Sequence, residues 1–234
     1  KPTDGWFSVH LNRPVSLAIS SRLARFDVHP NAVTLFTVLV GIAAGVLAAQ
    51  GTWLCLALGG VLYQAASILD GVDGEIARLK FLGSRSGQWL DTICDDLTNI
   101  AWMAGTTIGL FRATGDSAWL TVGLAAAALD VVTIGLLYRC LVTRFEAGTL
   151  LDLQWDFQRP EAAVTAGFGP RLLKSLEPLV KRDFYALLFM VLAIGNSART
   201  VIVLSLLGVV GTLAAFVAQS ARWRAAGTRQ AAPA

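Results

Sequence analysis

The sequence predicts an all-α integral membrane fold: six transmembrane helices, preceded by an amphipathic helix that lies in the membrane interface. Three observations carry this expectation. Of 234 residues, 55% are hydrophobic and 15% charged, with a mean hydropathy of +0.60, which is far more apolar than a soluble domain. Six apolar runs approach the roughly 20 residues that a helix needs to cross the hydrocarbon core. The basic residues are divided unequally between the connections, as the positive-inside rule requires of a multi-pass protein.

The elements follow in chain order. From Trp6 to Phe26, the residues Phe7, Leu11, Val15, Ala18 and Leu23 alternate with Arg13, Arg22 and Arg25, a spacing that suits a helix lying in the interface. The first span runs from Ala32 to Gln50, where Gly41 and Gly45 form a small-x-x-x-small pair that favours close helix packing. The second runs from Trp53 to Leu69, the third from Ile93 to Phe111, and the fourth from Ala118 to Tyr138, with Asp130 inside it. A hydrogen bond from Asn99, Thr98 or a backbone group is the expected use of that lone acid. A polar connection from Thr143 to Arg182 follows, with a short amphipathic helix expected near Leu172 to Val180. The fifth span, Phe184 to Ile194, is short, and the sixth runs from Thr200 to Ala221.

Division by composition gives an N-terminal juxtamembrane segment at 1–28, a six-helix domain at 29–226 and a tail at 227–234. Six spans put both termini on one side. Seventeen of the nineteen Lys and Arg residues fall on that side, with Arg112 and Arg199 opposite. The expected location is therefore the cytoplasmic membrane, multi-pass, with both termini cytosolic. Nucleic acid is excluded as a partner, because no soluble basic fold accompanies the charge. The three cysteines share no metal-ligand spacing and read as small core residues.

The chemistry is concentrated where the second span ends and the third begins: Asp70-Gly71-Val72-Asp73-Gly74-Glu75-Ile76-Ala77-Arg78, then Gly87-Gln88-Trp89-Leu90-Asp91-Thr92-Ile93-Cys94-Asp95. Asp70 and Asp73 are three apart and Asp91 and Asp95 four apart, so each pair shares one helix face. Acids beside membrane helices are costly and read as functional. Four of them brought together would repel unless cations sit among them. Oxygen ligands favour a hard ion such as Mg²⁺ or Mn²⁺, and His10 and His29 lie outside the cluster, which argues against zinc. Gly74 and Gly87 allow close approach of a bulky ligand, and Arg78 offers a charged fork for phosphate. The ligand suggested is a pyrophosphate. Asp96, about 100° round the helix from Asp95, points elsewhere.

Asp-x-x-Asp-Gly-x-x-Ala-Arg, eight residues, then Gly-x-x-x-Asp-x-x-x-Asp resembles the complete signature of the CDP-alcohol phosphotransferases (CDP-alcohol phosphatidyltransferases). The resemblance implies a six-helix membrane enzyme, often a homodimer, that moves a phosphate-linked alcohol group from a CDP-alcohol donor to an alcohol or lipid acceptor with release of CMP. It also implies that Asp70, Asp73, Asp91 and Asp95 bind metal, two ions in all. By the same likeness Asp95 is the general base, and Gly74, Ala77, Arg78 and Gly87, with Asp70, line the CDP site on the cytosolic side.

Weaker matches resemble the inositol-phosphate branch typified by di-myo-inositol-phosphate-phosphate synthase: Asp4-Gly5, Leu11-Asn12-Arg13-Pro14-Val15-Ser16, Pro30-Asn31-x-x-Thr34 and Lys181-Arg182-Asp183. They imply a CDP-inositol-type donor and nucleotide contacts from Asn31 and Thr34, Asn31 being equally suited to cap a helix. In that branch the membrane domain often follows a soluble cytidylyltransferase, which fits a chain that opens without Met. The alternative within the family is a phosphatidyltransferase that uses CDP-diacylglycerol, with Arg139, Arg144, Lys181 and Arg182 on the acceptor's phosphate. A transporter or cation channel is the alternative outside it; the acids cluster at one edge and the halves do not repeat, which disfavours that class.

Overall fold

The computed structural model describes residues 8–145 and 181–230, and every regular element within them is helical. A π-helical turn, Ser8–Asn12, leads into α1 (Arg13–Leu23). Then follow α2 (Pro30–Ala48), α3 (Trp53–Leu79), α4 (Arg85–Thr114) and α5 (Ser117–Cys140), which runs on into a second π-helical turn, Leu141–Phe145. Beyond residues 146–180 come α6 (Arg182–Ile194) and α7 (Ala198–Gln230). The expected helix near Leu172 to Val180 lies outside the described residues, as do Arg159, Arg171 and Lys174.

Four helices are long and apolar enough to cross a membrane: Pro30–Ala48, Trp53–Leu79, Ser117–Thr143 and Ala198–Trp223. The other two expected spans differ for opposite reasons. At 30 residues α4 is long enough, but it begins eight residues before Ile93 and takes in the polar stretch with Asp91, Asp95 and Asp96. At 13 residues α6 reaches only about 20 Å.

Local sequence sets the helix boundaries. Ser84 accepts from Gly87 N at 3.0 Å and caps α4, whose other end closes on Gly115 in the left-handed region at φ 71°. Thr52 caps α3. The cap of α2 is His29, whose Nδ1 accepts from Asn31 N, so Asn31 sits inside the first turn and does not cap it. Pro30, with its fixed φ and no N–H, is suited to the first helical position and shifts the cap back by two residues.

α2 packs against α3 on one side and α4 on the other. Leu35, Phe36, Leu39 and Val46 are exposed along one stripe, while Val33, Thr34, Thr37, Val38, Gly41, Ala44, Gly45 and Ala48 are buried along the other. The inner stripe is narrow enough for backbones to touch: a Cβ at Gly105 of α4 would lie 2.0 Å from the Gly45 carbonyl oxygen. The expected role of Gly45 in close packing is met there. α5 packs on α4 and α7, and α6 on α3. Tyr63 of α3 stacks on Trp102 of α4 with ring centroids 5.0 Å apart, and Phe189 of α6 adds to this core.

α1 turns a polar face inward. Ser16 and Ser20 are buried, whereas Val15 and Leu17 are exposed. The inner face is held by Glu75 of α3, whose carboxylate accepts from Arg13 Nη1 at 3.0 Å, Ser16 Oγ at 2.9 Å and Ser20 Oγ at 2.5 Å.

The two ends of the bundle differ in chemistry. At one end lie the C-terminus of α3, the N-termini of α4 and α6, and α1. At the other, Arg112 donates to the Ala49 carbonyl at 2.8 Å, Trp53 Nε1 donates to the Ile194 carbonyl at 2.8 Å, and Arg199 lies over the Trp119 ring.

Candidate metal centre

α3 and α4 run in opposite directions from the loop at 80–84, so the last turns of one lie near the first turns of the other. The i, i+3 pair on α3 and the i, i+4 pair on α4 therefore converge. One carboxylate oxygen from each of Asp70, Asp91 and Asp95 lies within 4.8 Å of the others. Asp73 adjoins Asp91. Its Oδ2 accepts from Thr34 Oγ1 of α2 at 2.5 Å, and it is buried.

The donor set suits a hard cation. All the atoms are carboxylate oxygens, and Asp91 Oδ1 is buried without a hydrogen-bond partner among the described residues. An acceptor in that state has lost its water with nothing in return, and a divalent ion among the three oxygens would restore the interaction. The residues present therefore fit a metal of the Mg²⁺ or Mn²⁺ kind.

Gly74, Ala77 and Arg78 lie on α3 and Gly87 on α4, the two helices that carry the acids. Arg78, exposed, folds back along α3 so that its Nη1 would lie 3.3 Å from a Cβ placed on Gly74. A Cβ on Gly87 would meet Asn31 Oδ1 at 3.3 Å, which brings the start of α2 against the start of α4. Ala77 is half-buried on the same helix as Arg78. Asn31 thus stands beside Gly87, whereas Thr34 is engaged with Asp73.

One participant carried no role of its own in the signature. Arg182, the first residue of α6, places Nη1 3.0 Å from Asp70 Oδ1 and in contact with Asp95 Oδ1. It lies 87 residues beyond Asp95, so spacing could not place it; the sequence signals were the Lys181-Arg182-Asp183 likeness and its place among the basic residues suited to an acceptor's phosphate. Its guanidinium supplies a positive charge where two carboxylates face each other, as the repulsion argument requires of some cation. Asp96 turns away from the cluster, as expected, and accepts from Tyr138 Oη of α5. Two of the three expected partners of Asp130 are engaged elsewhere: Asn99 Oδ1 accepts from Tyr63 Oη at 2.7 Å, and Thr98 Oγ1 donates to the Cys94 carbonyl.

Comparison with known proteins bears on the same residues. Over 126 residues, 53% of this chain and 27% of the relative, the chain is 40% identical to the bifunctional IPC transferase and DIPP synthase of Thermococcus kodakarensis. It is 34% identical over 127 residues to the protein of that name from Aquifex aeolicus, covering 54% of the chain and 28% of the relative. To the phosphatidylinositol phosphate synthase of Mycolicibacterium smegmatis it is 32% identical over 175 residues, 70% of the chain and 69% of that protein. The chain spans about a quarter of the length of the two bifunctional relatives. Residues 27–169, which hold the whole aspartate cluster, match the CDP-alcohol phosphatidyltransferase family, and the chain belongs to that family.

Proposed function

We propose that this chain transfers a phosphate-linked alcohol group from a CDP-alcohol to an acceptor hydroxyl and releases CMP. The observation that carries the reading is the convergence of Asp70, Asp91 and Asp95 to within 4.8 Å at one end of the bundle, inside the region matched by the family.

Asp70, Asp73, Asp91 and Asp95 would hold two Mg²⁺ or Mn²⁺ ions, whose charge, when bound, would neutralise the donor's phosphate oxygens and favour attack on phosphorus. The protein's own residues do the rest. Arg78, with Gly74, Ala77 and Gly87, seats the CDP moiety, the guanidinium meeting a phosphate through two parallel donors. Asn31, beside Gly87, contacts the nucleotide, and Thr34 reaches it through Asp73. Asp95 takes the proton of the acceptor hydroxyl as its oxygen bonds to the phosphorus that carries the alcohol. The bond from that phosphorus to the bridging oxygen of CMP breaks, and CMP leaves with the electron pair. Arg182, against Asp95, orients that carboxylate, and its Nε and Nη2, which have no hydrogen-bond partner among the described residues, are the donors for an acceptor phosphate.

The donor is of the CDP-inositol type, a reading supported by the two bifunctional relatives. The phosphatidylinositol phosphate synthase favours a second reading, a CDP-diacylglycerol donor with an inositol phosphate acceptor, because the match there extends over 69% of the relative. Incubating the purified protein with Mg²⁺ or Mn²⁺ and a panel of CDP-alcohols and acceptors, with CMP measured and products identified by mass, decides between them. No CMP from any pair would overturn the transferase reading.

The same reading places the protein in the cytoplasmic membrane as a homodimer of six-span protomers, with the acids and both termini cytosolic. Two features support the further spans: α4 exposes Ile93 and Leu97 on its outer side, and α6 packs between α3 and α7. α1, with Val15 and Leu17 exposed, lies in the interface. The divisions at 1–28, 29–226 and 227–234 belong to this proposal.

A further inference from the structure

Arg182 is held by more than the acids it touches. The next residue, Asp183, accepts from Asn12 Nδ2 at 2.6 Å, and Asn12 Oδ1 accepts in turn from Gln64 Nε2 of α3 at 2.9 Å. Asn12 and Gln64 are both buried, so neither bond is exchanged readily for water. Asn12 thereby links the start of α6 to α3, six residues before Asp70. The segment that carries Asn12 is itself fixed to α3 at a second point, by Arg13, Ser16 and Ser20 on Glu75. The two attachments are 11 residues apart on α3, about 16 Å at the helical rise, and Asp70 lies between them. Asn12 and Arg182 both fall outside the residues matched by the family.

Arg182 Nε and Nη2 are buried with no hydrogen-bond partner among the described residues. The side chain is therefore aimed by its Nη1 contacts and by the position of the backbone at the start of α6. Those Nη1 contacts are to Asp70 and Asp95, two of the three acids available to a cation. A guanidinium and a divalent ion compete for the same carboxylates, because each positive charge lowers the potential available to the other.

We infer that Asn12 is a positioning residue that holds Arg182 against Asp70 and Asp95 through Asp183, and thereby sets how tightly the aspartate cluster binds a divalent cation. The inference rests on the metal reading given above. It deepens that reading by giving the N-terminal segment a defined action on the site. The sign is distinctive. Loss of Asn12 releases a competing charge, so cation affinity rises while turnover falls, whereas general loosening of the fold lowers both.

The test is Mn²⁺ binding to the purified full chain in detergent, followed by electron paramagnetic resonance of free Mn²⁺, together with turnover. Asn12→Ala should tighten Mn²⁺ by about three- to tenfold, on the order of a partly screened unit charge nearby, and Arg182→Gln should do so at least as strongly. In the Arg182→Gln background Asn12→Ala should add nothing. The exchange Asn12→Asp with Asp183→Asn keeps the local charge and the bond, with donor and acceptor reversed, and should restore wild-type affinity. Asn12→Ser is too short to reach Asp183 and serves as a milder variant if Asn12→Ala does not fold. Unchanged or weaker Mn²⁺ binding in the folded Asn12 variant, or a full additional effect in the Arg182→Gln background, overturns the role of Asn12. Wild-type protein that binds no Mn²⁺ overturns the metal reading and this inference with it.

Discussion

Thr34 of α2 donates its hydroxyl to Asp73 of α3 at 2.5 Å, so one acid of the cluster is held by a neighbouring helix and is turned toward it. Both residues are buried. Thr34→Val should leave that carboxylate short of a donor and lower stability by about 1–3 kcal/mol, read as a lower thermal midpoint in detergent. Thr34→Ser, which keeps the hydroxyl, should stay near wild type.

Asp95 should separate from the other acids in kinetics. Asp95→Asn keeps an oxygen toward the site but is a poor proton acceptor, so Mn²⁺ and donor binding should persist while turnover falls about 10²- to 10⁴-fold. Asp70→Asn and Asp91→Asn should weaken Mn²⁺ and donor binding more than Asp95→Asn does, and lower the rate with it. Calorimetric titration beside steady-state rates distinguishes these patterns. Near-normal turnover in Asp95→Asn would exclude it as the base.

Arg78 lies alongside Gly74 on the exposed end of α3, with no ion pair to another described residue. Arg78→Lys retains the charge but loses the planar fork, and donor affinity should fall about tenfold, the cost of one charge-assisted hydrogen bond. Equilibrium binding of the CDP-alcohol without acceptor measures it. Full affinity in the lysine variant would mean that charge alone suffices.

Two glycines should respond with opposite signs. Gly105→Ala places a methyl 2.0 Å from the Gly45 carbonyl oxygen and should cost about 1–3 kcal/mol through forced separation of α2 and α4. Gly135 of α5 has nothing within 4 Å of the same position, so Gly135→Ala should be neutral or stabilise by up to about 1 kcal/mol through helix propensity. Thermal midpoints of the two variants, measured in parallel, give the comparison.

The part of the site that could be read from sequence is the part set by helical period. Once α3 and α4 are helices running in opposite directions, the spacings of Asp70, Asp73, Asp91 and Asp95 leave little freedom in where the acids meet. Arg182 and Asn12 depend instead on which helix packs where, which one sequence does not state. Glu75 stands at an undefined position of the signature, and its three donors come from α1. Its role is visible only once α1 is in place. Asn31 was suited to either of two positions, and the choice fell to His29 because Pro30 takes the first helical position. The span count differed where composition and length disagree, as α4 is long but polar and α6 apolar but short.

The contact of α2 with α4 also limits how the molecule can move. Where the Gly45 carbonyl lies against Gly105 and the Ala48 carbonyl against Gly109, the helices have no side chains between them to change rotamer, and sliding one past the other would drive backbone into backbone. α1, by contrast, is fastened to Glu75 of α3 by side-chain hydrogen bonds from Arg13, Ser16 and Ser20, which can open and close one at a time, so a hinge for entry of substrates and departure of products belongs there and not at the seam of α2 and α4.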